Sequence, residues 1–64
     1  MYIPDRFEIM GYIIASENKL AACRRALFWL SCLRAALPRK EQSDVNGLIL
    51  HLMGVRNGLE IAMM

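Results

Sequence analysis

From Arg6 to Leu37 the apolar residues recur at three- and four-residue steps, the spacing of an α-helix. Projected at ~100° per residue, Ala22, Ala26, Trp29, Leu30, Leu33 and Leu37 fall on one side. Phe7, Met10, Ile14, Ala21, Phe28, Cys32 and Ala35 fall on nearly the opposite side, with Glu17, Arg24, Arg25 and Ser31 between or beside them. The first segment is therefore expected to carry two apolar faces. A chain of 64 residues has one core to offer. One face packs on the rest of the chain, and the other calls for a partner.

The local signals sharpen this outline. Met1–Pro4 reads as extended, because the residue before a proline avoids the helical region. Asp5, followed three residues on by Glu8, has the spacing of a capping box and marks a helix start. Ala15-Ser16-Glu17-Asn18 is the one polar interruption. It either lies within a helix of some thirty residues, longer than most, or divides a short helix from a long one, with Ser16 capping a segment that begins near Glu17. Pro38 ends the run. Pro38–Asp44 holds no large apolar residue and reads as a solvated loop, with Ser43 or Asp44 as the next cap.

Beyond the loop, Val45, Leu48, Leu52, Val55, Leu59 and Ala62 repeat in heptad-like steps. The short connection predicts antiparallel packing on the first helix, with Trp29 facing this seam. Asn57-Gly58 is also a hairpin turn signal. Strict alternation fails before it, however, and Leu, Met and Ala favour helix. Gly47, Gly54 and Gly58 each cost up to ~1 kcal/mol relative to Ala in a helix interior. On a helix they share the side opposite the seam, beside Leu50 and Ile61, where small residues let another helix approach. Alternatively, Gly47 and Gly58 end structure and Gly54 is tolerated.

Composition supports a partner more than a membrane. The hydrophobic share is 56%, above the ~45–50% of ordinary domains. A spanning helix needs ~20 mostly apolar residues, and the best run, Ala26–Leu30, is bounded by Arg24, Arg25 and Arg34. The first residues do not read as a signal peptide, so the cytoplasm is the expected place, and the small size points to a bacterium or its phage. Net charge is +2; Lys19, Arg24, Arg25, Arg34, Arg39 and Lys40 form at most a weakly basic stripe. Cys23 and Cys32, nine residues apart on one helix, lie ~13 Å apart at ~1.5 Å rise per residue. That is beyond disulfide reach, so both are expected to be reduced thiols.

No catalytic chemistry is expected. Asp5 and Glu8 sit at a helix start, and Glu17, Glu41, Asp44 and Glu60 are scattered, so no acid–base pair stands out. Cys23, Cys32 and His51 lack zinc-ligand spacing. No phosphate loop or nucleophile elbow is present. Neither a metal nor a cofactor is expected. Leu50-His51-Leu52-Met53-Gly54-Val55-Arg56-Asn57 resembles the turn of a helix-turn-helix, in which a Gly and a Val separate two helices. That resemblance implies a recognition helix over Leu59–Met64. Its only polar side chain is Glu60, an acid that cannot read base edges.

The sequence therefore predicts a single small all-α domain over residues 1–64. It is an antiparallel helical hairpin, preceded by a short N-terminal helix if the polar interruption breaks the first segment. In size and outline it is similar to the smaller subunits of bacterial secretion co-chaperones and to small phage or plasmid accessory proteins. The expected function is protein interaction, as an accessory subunit or co-chaperone, binding another protein or itself. Phe7, Met10, Ile14, Phe28, Gly54 and Gly58 are the expected partner-binding residues. The rival is a homodimeric nucleic-acid-binding regulator using Arg24, Arg25 and Arg34.

Overall fold

The computed structural model describes Tyr2–Met64; the Met1 end of the expected extended stretch lies outside the described residues. The chain is all-α: α1 spans Arg6–Ala15, α2 Lys19–Ala36 and α3 Gln42–Ala62, with a single 3₁₀ turn at Arg39–Glu41 before α3. α1 begins at the expected box. The Glu8 amide donates to the Asp5 carboxylate at 2.9 Å, and the Asp5 amide donates back to the Glu8 carboxylate at 3.5 Å.

The first segment is not one continuous helix. It breaks at Ser16–Asn18, and the caps differ from the expected ones. Ser16 is the C-cap of α1, in extended backbone, and the N-cap of α2 is Asn18, whose side-chain oxygen accepts from the Ala21 amide at 3.1 Å. Asn is as good an N-cap as Ser. Here it lies two residues nearer the helix it starts. Lys19 completes the joint. Its ammonium donates to the carbonyls of Ile13 at 2.8 Å and Ile14 at 2.7 Å, placing a positive charge on the negative end of α1.

The second connection is also shorter than expected. Instead of a loop running to Asp44 there is a 3₁₀ turn, and α3 starts at Gln42, with no side-chain bond at its cap position. Gln42 serves the neighbouring helix instead, donating to the carbonyls of Arg34 at 2.9 Å and Leu37 at 3.1 Å at the end of α2. The segment that resembled a helix-turn-helix lies wholly inside α3, whose hydrogen bonding continues through Gly54 and Gly58. No turn forms there.

All three helices contribute to one core. Ile9, Cys23, Ala26 and Leu30 are fully buried, and Val45 and Leu52 nearly so. Around them pack Ile13, Leu27, Trp29, Leu33, Leu37, Leu48, Ile49 and Leu59. The heptad seam of α3 drifts. Val45 and Leu52 are buried, but Val55 and Ala62 are exposed, and Ile49 takes part in the packing. A straight helix turns ~20° per heptad away from a strict seven-residue repeat. The later seam positions therefore rotate outward. Trp29 is half-buried and meets α1 rather than only the seam: its ring stands edge-on to Tyr12, with centroids 5.0 Å apart. Three exposed contacts link the helices: Arg6 to Asp44, Arg24 to Glu60 and Arg34 to Asn46, each at 3.3 Å.

Candidate interaction surface

The break at Ser16–Asn18 decides where the outward side chains lie. In a continuous helix Ile9 and Ile13 belong to neither apolar face. As a separate helix, α1 turns these two residues inward, Ile9 to full burial. Phe7 and Ile14, one heptad apart, share the other side of α1 and are 75% and 74% exposed. Met10 is half-buried. On α2, Phe28 remains 56% exposed, in a column with exposed Ala21 and Ala35 and half-buried Cys32. The expected apolar residues thus point outward, except that Met10 and Cys32 are half-buried. The break, however, removes the helical register that would join Phe7 and Ile14 to Phe28 as one continuous stripe.

A third outward apolar group lies on α3. Leu50 and Ile61 are each 69% exposed, and Met53 is 38% exposed. Gly47, Gly54 and Gly58 are all in helical backbone without positive φ, and a Cβ added at any of them meets open space. Nothing inside the protomer requires a glycine at these positions.

Several of the charged groups are engaged locally. The Asp5 and Glu8 side chains form the cap of α1. Glu60 lies 3.3 Å from Arg24 and 3.8 Å from Arg56. Arg6 stands over the Phe7 ring at 5.3 Å, and Arg25 over the Trp29 ring at 5.7 Å. The Tyr2 phenol donates to the Glu8 carboxylate, which pushes its pKa above the ordinary value of 10.0. One shallow cleft, about 310 Å³, runs between Asp5, Arg6, Leu37 and Asp44. Two of its three acids are already used, Asp5 as a helix cap and Asp44 by Arg6; the third is Glu41. Among the described residues no group of three or more His, Cys, Asp or Glu side chains could hold a metal ion. Cys23 is buried and Cys32 half-buried, both as free thiols. No helix among the described residues is long and apolar enough to cross a membrane.

Phe28 was accessible to sequence reasoning because its helical phase relative to Leu30 and Ala26 depends only on α2. The outward placement of Leu50 and Ile61 followed from the phase of α3. The inward turn of Ile9 was not accessible, because it depends on where α1 ends. No protein family, curated protein or solved structure matches the chain.

Proposed function

We propose that this protein is a small helical interaction module, an accessory subunit or co-chaperone that binds another protein or itself through outward apolar side chains. Its frame is an antiparallel α2–α3 hairpin with the short N-terminal helix α1 laid against α2. The pairing of Arg24 with Glu60 and of Arg34 with Asn46 supports that direction. The contact of Tyr12 with Trp29 supports the placement of α1 against α2.

The observation that carries the function is the exposure of Phe7, Ile14, Phe28, Leu50 and Ile61, each more than half accessible. Single exposed apolar residues are ordinary. Here large ones stand on all three helices of a chain short enough to need them inside. The total surface agrees. A 7.3 kDa chain exposes 4600 Å², against about 4,200 Å² for a compact monomer of that mass. The nucleic-acid reading is less well supported. Arg34 already meets Asn46, and the segment resembling a DNA-reading motif is unbroken helix.

Light scattering at micromolar concentration, combined with binding of an apolar-surface dye, tests the proposal. It predicts either an oligomer or a monomer that binds the dye. A cooperative, well-folded monomer that binds none would contradict it.

A further inference from the structure

α2 carries Lys19, Arg24, Arg25 and Arg34 and not one acidic residue along its 18 positions. Its outward face sets exposed Phe28 one turn below Arg24 and Arg25, between the two arginine positions around the helix. Ala21, Cys32 and Ala35 continue the column above and below it with short side chains. Arg24 keeps 61% of its side chain exposed while touching Glu60. Arg25 forms no ion pair among the described residues and lies over Trp29. Glu60, the acid that meets Arg24, is shared with Arg56, so the patch stays positive.

We propose that this face of α2 docks an acidic amphipathic helix of another protein. Apolar side chains of that helix would cover Phe28 and the short column, and its carboxylates would meet Arg24 and Arg25. The inference rests on the interaction function proposed above and specifies the partner for one face. Charge selects among occupants. A second copy laid α2 against α2 would oppose arginine to arginine, and like charges in apposition oppose association. A nucleic acid would satisfy the arginines but would leave Phe28, Ala21 and Ala35 against phosphates and polar base edges. An acidic helix satisfies both parts of the surface, in the helix-on-helix manner in which apolar anchors recur at three- and four-residue steps. Buried aromatic anchors ringed by rim charges are the usual composition of such contacts.

The test uses the full chain and a labelled 20-residue synthetic helix with leucines along one stripe and glutamates flanking them. Two controls accompany it: the same peptide with lysines for glutamates, and a 20-base-pair DNA duplex. Fluorescence anisotropy should show the glutamate peptide binding at least tenfold tighter than either control, and weakening as salt rises. Phe28→Ala and Arg25→Glu should each weaken it at least fivefold with helicity unchanged by circular dichroism. Arg25→Gln should weaken it by less, because it removes the charge without reversing it. Equal binding of the two peptides, with loss on Phe28→Ala, would overturn the acidic partner while leaving the interaction function standing. Tighter binding of the duplex, or no binding of the glutamate peptide, would also overturn the acidic partner.

Discussion

Phe28 and Trp29 are adjacent in sequence and ~100° apart around α2, and that angle separates their roles. Trp29 packs against the core and holds Tyr12, while Phe28 faces outward. The phase of both could be read from the sequence, because neither depends on where α2 begins. The partner of Trp29 could not, because Tyr12 reaches it only after the chain turns back at Ser16. Tyr2 offers a second test at this scale. Its phenol donates to Glu8, so its pKa is raised in the folded state. The sign follows: the contact is complete below the ordinary phenol pKa of 10.0 and is lost as pH rises through the raised value. Phenolate absorbance, followed in a Tyr12→Phe background, should show Tyr2 titrating above the ordinary value. Glu8→Gln should bring it back down. No change on that substitution would remove the contact from the account.

At the scale of elements, each helix was legible by its period, and the joints by the polar interruption and Pro38, but the caps that form them were not. Asp5 and Glu8 announce α1 because a capping box is local. The end of α1 depends on a competition between Ser16 and Asn18 as caps, and Lys19 bridges back to two carbonyls to settle the geometry. No periodic pattern encodes that bridge. α3 raises a different point. It keeps Gly47, Gly54 and Gly58 although each interior glycine weakens a helix by up to ~1 kcal/mol relative to Ala. A Cβ at any of the three meets open space. Gly54→Ala and Gly58→Ala should therefore each raise stability by about 0.5–1 kcal/mol in a urea titration. If another helix approaches that side, the same substitutions should weaken association. A loss of stability would mean that the glycines answer a need inside the protomer.

The whole molecule is elongated, 38 by 20 by 16 Å, with a radius of gyration of 11.9 Å. A compact domain of this length has about 11 Å. Three amphipathic helices in so short a chain can bury only one stripe each. The core therefore holds few large side chains, Ile9 and Leu30 chief among them. The rest of the apolar content lies outside or half outside, which is why the composition already pointed to a partner. The expected single partner stripe from Phe7 to Phe28 was not realised, because the break at Ser16–Asn18 gave α1 its own phase. The outward apolar residues survived that change, and with them the case for a binding surface.

The most direct test compares Phe28→Ala with Trp29→Ala, each examined by urea unfolding and by association in light scattering and apolar-dye binding. Trp29→Ala should cost about 2–3 kcal/mol of stability, less than the ~3–5 kcal/mol of a fully buried aromatic. Phe28→Ala should leave the protomer within about 0.5 kcal/mol, as surface changes do, while reducing association or dye binding. If Phe28→Ala instead unfolds the isolated chain and leaves association as it was, Phe28 belongs to the core and the outward face is not a binding surface.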